Sequence, residues 1–381
     1  MKKNNSIVLG LAGSNPLSTV KSLGYEGIPT IGFHISDKDE NRVYVSSSKY
    51  LGQGIYVSGQ EELLKKLQDY GEIQDRRGVL FPTGDQYVVF CSQNKDFLSK
   101  YFYVPKVKGK DIENLLDKNI NSKLAEGTGF NTLASGYLSN FSDINDRPYV
   151  VKPINSAKAP KSSITFYKSS RDLLADKQKL LDKYEEMVFQ EFVPGDNTNI
   201  FEVHAFQSSK GMVIGGMQRQ RLSLIQGPNV HAGIVYESVW DQSLVEPAKN
   251  LLRKLNFNGP VDINLKRSTK DKLFYFIECN LRTSSNLALD TFSGLNLPAI
   301  VYFDLIGEDF SYLINRKSKV GVRWVDESDI EVVLNQEKRR GEVLNALNGV
   351  KVGVFYDPTD MQPFDNLNLN STTKKILEHI I

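Results

Sequence analysis

In the segment FIECNLRTSSNLAL (276–289), a carboxylate, an amide and a guanidinium stand at alternate positions, Glu278, Asn280 and Arg282, within an otherwise apolar stretch. On an extended strand alternate side chains share a face, so these three point together while Ile277, Cys279 and Leu281 point the other way. The longer segment GPVDINLKRSTKDKLFYFIECNL (259–281) alternates like a β-hairpin around a polar tip, a pairing that brings Asp262 to the same face. Two carboxylates and an amide oxygen form a hard oxygen site suited to Mg2+, which takes a few protein oxygens and completes its shell with phosphate oxygens and water. An arginine beside them would meet those phosphates. A polar stripe on a solvent-facing edge strand has the same pattern, and spacing alone does not separate the two.

Two lysines bear on the choice. Lys118 follows Asp117 on a helical stretch, and Lys152 ends the buried run Tyr-Val-Val, where a strand delivers its ammonium to a defined place. A solvated helix lysine and a snorkelling strand-end lysine are the plain alternatives. The loop 154–163 holds Ser156, Ser162 and Ser163 and has the size to close over phosphates, but it contains no Gly. The four histidines, His34, His204, His231 and His379, form no evident triad.

The elements that must position these groups are legible from periodicity. The opening third alternates apolar runs and helical patterns: strand 7–12, helix 15–27, strand 30–35, amphipathic helix 61–72, strand 78–85. That order predicts a small parallel sheet with helices on both faces. Gly10, Gly13 and Asn15 stand at the first strand-to-helix turn, without a full G-x-G-x-x-G, and read as turn residues before a dinucleotide site. From about residue 104 the pattern changes to a helix over 111–130, strands at 147–155 and 162–168, a helix at 171–184, a strand at 186–193 and further strands to about 236. A helix at 243–255 then leads into the hairpin, so the body is α+β with antiparallel strands. The tail, 310–381, has short strand-like pieces, GVRWV and GVKVGVFYD, and no separate fold is assignable to it.

Composition narrows the class. The chain has 381 residues, 40% of them hydrophobic and 24% charged, which suits two or three packed domains. With 47 Lys and Arg against 45 Asp and Glu, the net charge of +2 gives no reason to expect a nucleic-acid partner. Cys91 and Cys279 offer neither a disulfide framework nor a zinc site, which fits a reducing compartment. No window approaches the roughly 18 apolar residues of a membrane helix, and the N-terminus lacks a signal-peptide pattern. A cytoplasmic location is the expectation.

The segments DK (117–118), YVVKP (149–153), VFQEFVPGD (188–196), VDINL (261–265) and FIECNLRTSSNLAL (276–289) stand in the order and approximate spacing of the ATP-grasp superfamily. The last resembles the large subunit of carbamoyl-phosphate synthetase. Residues 1 to about 105 are similar to the N-terminal domain of ATP-grasp amino-acid ligases of the D-aspartate ligase kind. The resemblance covers roughly residues 7 to 310 and implies an N-terminal α/β pre-ATP-grasp domain (1–105), a lid subdomain (106–195), a C-terminal subdomain with the metal site (196–310), and an extension (311–381) packed on the ligase body.

The resemblance also implies roles. Lys118 and Lys152 match the two lysines that hold ATP phosphates. Gln190, Glu191, Phe192 and Val193 match the linker whose backbone reads adenine, and Asp196 or Asn197 lies where a polar side chain holds the ribose. Asp262, Glu278 and Asn280 match the ligands of Mg2+ or Mn2+, and Arg282 the arginine that stabilises the transferred phosphoryl. Leu281 replaces the usual Pro between Asn and Arg, the loop after Lys152 lacks the usual glycines, and the hairpin tip is longer than common.

The implied chemistry activates a carboxylate as an acyl phosphate, which an amine then attacks, so that positioning and electrostatics carry the work and no catalytic nucleophile is needed. On GMQRQRLSLIQGPNVHAG (216–233), Arg219 and Arg221 share one face with His231 downstream, and either arginine would hold the substrate carboxylate as a bidentate fork; surface arginines on a strand are the alternative. The expected partners are a small-molecule or precursor carboxylate and an amine, as in amino-acid ligation to a cell-wall or surface-polysaccharide precursor. A phosphotransferase that stops at a phosphorylated product and a non-catalytic nucleotide-binding protein remain open.

Overall fold

The computed structural model describes residues 4–36, 44–105, 112–154, 163–224, 233–316 and 318–381. His231, Ser156 and Ser162 lie outside them.

Five short strands open the chain: β1 (Ser6–Leu9), β2 (Thr30–Ile35), β3 (Gln53–Val57), β4 (Gly78–Pro82) and β5 (Phe102–Tyr103). They form an all-parallel sheet in the order β3-β2-β1-β4-β5, as the strand–helix alternation predicts. β1 and β4 are buried along their whole length, which is why they read as continuous apolar runs. At the first turn, Gly10 has φ 95°, and a Cβ there would come within 2.7 Å of Thr83 Oγ1 and the Tyr87 ring. Only Gly meets both conditions. The turn then enters the helix Ser14–Tyr25, whose N-cap, Gly13, supplies no side-chain cap.

A four-stranded antiparallel sheet follows, made of β6 (Ser135–Tyr137), β7 (Tyr149–Pro153), β8 (Thr165–Tyr167) and β9 (Met187–Glu191) in the order β6-β9-β7-β8. The single helix expected over 111–130 is two helices, Ile112–Leu116 and Lys118–Ala125. Asp117 separates them because its side chain accepts from the backbone N–H of Asn119 and Ile120 and so caps the second helix.

The third sheet has seven strands: β10 (Ile200–Ser208), β11 (Gly211–Ser223), β12 (Gly233–Val239), β13 (Pro260–Arg267), β14 (Phe274–Asn280), β15 (Arg323–Val325) and β16 (Val350–Gly353). Their order is β14-β13-β10-β11-β12-β15-β16, antiparallel except for the last pair. The tail therefore extends the main sheet through GVRWV and GVKVG. One core underlies that extension, with Trp324, Val325, Val354 and Phe355 fully buried together with Leu287, Ala299 and Tyr302. A second core packs β10, β13 and β14 against the helix Val245–Leu255. No helix among the described residues is long and apolar enough to cross a membrane.

A buried carboxylate fixes the tail. Glu327 is 0% exposed; its Oε2 accepts from the backbone N–H of Val354 (3.0 Å) and Phe355 (3.1 Å), and its Oε1 from that of Tyr356 (2.8 Å). Burial pushes its pKa up to about 7 although those three donors favour the charge. On the other side, Lys21 of the first helix donates to the Phe355 carbonyl (3.0 Å). Replacing Glu327 with Ala orphans three buried donors, so Glu327→Ala is expected to lower stability by about 3 kcal/mol. Urea unfolding measures this, and a loss below about 0.5 kcal/mol, the scale of an ordinary surface change, would contradict the assignment.

Candidate active site

The three sheets enclose a cavity of about 740 Å3 whose wall includes Gly13, Asn15, Asp85, Lys118, Lys152, Gln190 to Val193, Asp262, Glu278, Asn280 and Arg282. Its floor is the polar face of the seven-stranded sheet. β13 pairs with β14 with Asp262 opposite Asn280 and Asn264 opposite Glu278, so the hairpin brings the three expected metal ligands together. Asp262 is held at both oxygens, by Asn264 Nδ2 (2.8 Å) and Asn280 Nδ2 (3.1 Å).

The strict alternation expected on this strand fails at one residue. The register shifts between Asn264 and Leu265, opposite Glu278 and Phe276, which leaves Ile277 as a bulge. Ile277 consequently lines the cavity beside Glu278 instead of entering the core, while Cys279 and Leu281 are buried as expected. The bulge also frees the Ile277 carbonyl from the ladder. Lys152 Nζ donates to it at 3.2 Å and to Gln190 Oε1 at 3.0 Å, and Gln190 Nε2 reaches the same carbonyl at 3.4 Å.

Lys118 and Lys152 converge on one carboxylate. Glu278 Oε2 lies 3.2 Å from Lys118 Nζ and 3.9 Å from Lys152 Nζ. The backbone places both: Lys118 N donates to the Ile154 carbonyl just past β7 (2.9 Å), and Asn121 of the same helix bonds both backbone groups of Cys279. Asn121 is a positioning residue that sequence reading missed, since a buried asparagine in a helix has no signature until its partner strand is known. Burial lowers the Lys152 pKa to about 8 against the opposing pull of Glu278. Arg282 donates to Asp85 Oδ1 (2.8 Å) and lines the cavity; burial works against its charge, but Asp85 and Asp262 outweigh that.

Other expected residues fall elsewhere. Arg219 and Arg221 are not brought to the cavity: in β11 it is Gln220 that faces it, and alternation turns its neighbours away. Arg219 donates to the Thr198 carbonyl (2.8 Å), and Arg221 lies 3.7 Å from Glu237. Asp196 caps the turn Asn197–Asn199 and Asn197 donates to Ser223 Oγ, so neither lines the cavity. Lys266, which the sequence pattern does not single out, does line it, with its Nζ 4.1 Å from the centre of the Phe192 ring.

The donor chemistry fits a hard divalent cation at Asp262, Glu278 and Asn280, all oxygen ligands. Burial, with Glu202 nearby, pushes the Asp262 pKa up to about 6, so a cation there offsets the cost of its charge. A second grouping, Glu202, His204 and Asp262, is also compact enough for a metal. His204, however, has Asp290 on Nδ1 (2.5 Å) and Ser284 on Nε2 (2.8 Å), and although burial opposes its charge, Asp290 raises its pKa well above the usual histidine value. A protonated, fully bonded imidazole is a cation under the floor and not a ligand.

In sequence and in fold the chain is similar to several known proteins. Residues 183–328 match the family described as "ATP-grasp in the biosynthetic pathway with Ter operon". The chain is similar to a D-aspartate ligase of Enterococcus faecium (strain Aus0004), 22% identical over 327 residues that cover 78% of this chain and 76% of that one. Among solved structures it is similar to an L-amino acid ligase from Bacillus licheniformis (TM-score 0.59, 16% identity, 80% and 75% of the two chains). It is also similar to N5-carboxyaminoimidazole synthetase from Staphylococcus aureus complexed with ADP (TM-score 0.64, 12% identity, 89% and 87%).

Lys266 yields a test independent of activity. Burial lowers its pKa from 10.5 to about 8, with Asp196 opposing. Between those values the unfolded chain binds the extra proton, so this residue's contribution to stability rises with pH across the window. The wild type is expected to gain on Lys266→Met as pH increases from 7 to 9 in paired urea titrations. Parallel pH profiles would show that Lys266 is not desolvated. Residues 183–328 thus match an ATP-grasp family model, and the chain shares its fold with the L-amino acid ligase and the N5-carboxyaminoimidazole synthetase.

Proposed function

We propose that the cavity binds ATP with Mg2+ or Mn2+ and that the protein is a carboxylate-amine ligase, forming an amide through an acyl phosphate and releasing ADP and phosphate. The observation that carries this reading is the convergence of Asp262, Glu278 and Asn280 with Lys118, Lys152 and Arg282 on one end of a cavity that also contains the 190–193 linker. The D-aspartate ligase and L-amino acid ligase among the similar proteins point to the same reaction class.

Residues Gln190 to Val193 supply the adenine wall, with Phe192 packed edge-on against Phe166 (4.9 Å) and Lys266 above its ring. Lys118 and Lys152 bind phosphate oxygens. Lys152 is suited to this because its ammonium is fixed by Gln190 and the Ile277 carbonyl, so little reorganisation is needed when phosphate arrives. Asp262, Glu278 and Asn280 would hold the metal, which neutralises phosphate charge when bound. Arg282, held in place by Asp85 from the parallel-sheet end, stabilises charge on the phosphoryl group as it passes to the acceptor carboxylate. Phosphate then leaves as the amine attacks the acyl carbon. Residues 1–105, 106–195 and 196–310 serve in this reading as acceptor-side, lid and metal-site regions.

The test is a matrix of acids and amines scored for ADP release, with hydroxylamine present to trap acyl phosphate as a hydroxamate. Metal-dependent ADP release with hydroxamate is the expected result; ADP release without hydroxamate and with a stable phosphorylated product would make the protein a phosphotransferase. In the same assay Glu278→Gln keeps the strand but removes the charge that the metal and both lysines share. Turnover is expected to fall about a hundredfold or more, on the order of 3 kcal/mol. Retention of more than about a tenth of the wild-type rate, a loss of only ~1.4 kcal/mol, would contradict the role given to Glu278.

A further inference from the structure

Across the floor of the cavity, chemistry changes with strand order. Reading from β14 through β13, β10, β11 and β12 to the segment after β15, the residues that line it are Glu278 and Asn280, then Asp262, Glu202, Gln220, Tyr236 and Asp326. Among the described residues, the cations lining the cavity are Lys118, Lys152, Lys266 and Arg282, all on or beside the β13–β14 end or the small sheet. The distal half has none. Its polar groups include Glu202, Gln220, Asp326, Ser328 and Asn368, and Phe355, Leu367 and Leu369 add apolar wall.

Gln220 shows what this half would take. The residue is 1% exposed, yet one polar atom of its amide has no hydrogen-bond partner. Tyr236 Oη lies 2.7 Å from Glu202 Oε1 and 3.2 Å from the Gln220 amide atom placed as Oε1, an orientation in which Nε2 is the unpartnered atom. A phenol has one proton, and the short contact to a carboxylate claims it. The longer contact is then a hydrogen bond only if the amide nitrogen stands on that side and donates to the phenol oxygen. This leaves Gln220 Oε1 as the unpartnered atom, a buried acceptor that needs a donor. Glu202, fixed by Tyr236 and by Asn286 Nδ2 (2.6 Å) and lying 3.7 Å from His204 Nε2 beneath the floor, presents its carboxylate beside it. Asp326 adds another carboxylate, anchored by Ser328.

We propose that the distal half of the cavity is the seat of the amine substrate, bound as an ammonium by Gln220 Oε1, Glu202 and Asp326, with an apolar substituent against Phe355, Leu367 and Leu369. The assignment rests on the ligase reading for the word substrate, but the chemistry of the subsite stands on the side chains alone. Acceptors on a wall with no cation among the described residues select a positively charged donor and repel an anion, so an acidic side chain on the amine is disfavoured here.

The experiment is calorimetric titration of the full-length protein with three probes of one shape: hexylammonium, hexanol and hexanoate. Hexylammonium is expected to bind at least tenfold more tightly than either of the others. Gln220→Leu and Asp326→Asn are each expected to weaken hexylammonium at least fivefold while leaving ATP affinity within about twofold, which also reports that the variants are folded. Should Gln220→Leu lose ATP binding, the more accessible Asp326→Asn carries the test. Equal or tighter binding of hexanoate or hexanol, or unchanged hexylammonium affinity in a folded variant, would overturn the proposal. If hexylammonium binds as described and no acid–amine pair releases ADP, the ligase reading fails and the cation subsite stands. If ADP and hydroxamate appear without this preference, only the subsite fails.

Discussion

Two ammonium groups and one carboxylate meet where the small antiparallel sheet touches the large one, and much of the site follows from that contact. Glu278 alone would be a half-buried anion close to Asp262; Lys118 and Lys152 alone would be two cations competing for a desolvated corner. Together they offset one another, though in such a setting a missing partner is costly. The geometry depends on a single-residue bulge. With Ile277 in regular register its carbonyl would belong to the ladder, and the Lys152 ammonium would lose one of the two neutral acceptors that fix it.

The remaining elements aim these groups at a common space. The parallel sheet contributes Asp85, which orients Arg282, and the open turn at Gly13 and Asn15. Asn121 locks the helix bearing Lys118 to the strand bearing Glu278, so that lysine and that carboxylate share a rigid mount. The tail closes the far end: β15 and β16 continue the sheet, and Glu327 gathers three consecutive N–H groups to present Phe355 to the cavity. The resulting cavity is cationic near the small sheet and acceptor-lined and apolar at the other end, a polarity that suits two unlike reactants.

Much of this was legible from residue order. The parallel sheet followed from strand–helix alternation, and the hairpin that joins Asp262 to Glu278 and Asn280 followed from period-two patterning. Errors arose where side-chain direction depends on a partner strand. Alternation put Ile277 in the core because a bulge has no sequence mark. Arg219 and Arg221 drew attention as charges, while Gln220, the neutral residue between them, faces the cavity. Asp196 and Asn197 were read as ligand contacts, yet turn chemistry satisfies Asp196 and a hydrogen bond to Ser223 engages Asn197. Lys266 has no mark in the sequence that sets it apart on the hairpin, and only the packing of Phe192 beneath it brings it out. The tail had no readable fold of its own because its first strand, β15, joins the sheet through β12, as in the pairing of Val325 with Val235, far back in the chain.

The central claim is that one metal–nucleotide complex is held jointly by the β13–β14 hairpin and the two lysines. A crystal structure of the protein with ADP and Mg2+ tests this most directly. The account requires Mg2+ at about 2.1 Å from oxygens of Glu278 and Asn280, with Asp262 in its inner or water-bridged shell, Lys152 on a phosphate oxygen and the adenine against residues 190–193. Nucleotide bound elsewhere, or a metal coordinated by phosphates and water alone with Glu278 still paired to both lysines, would contradict it.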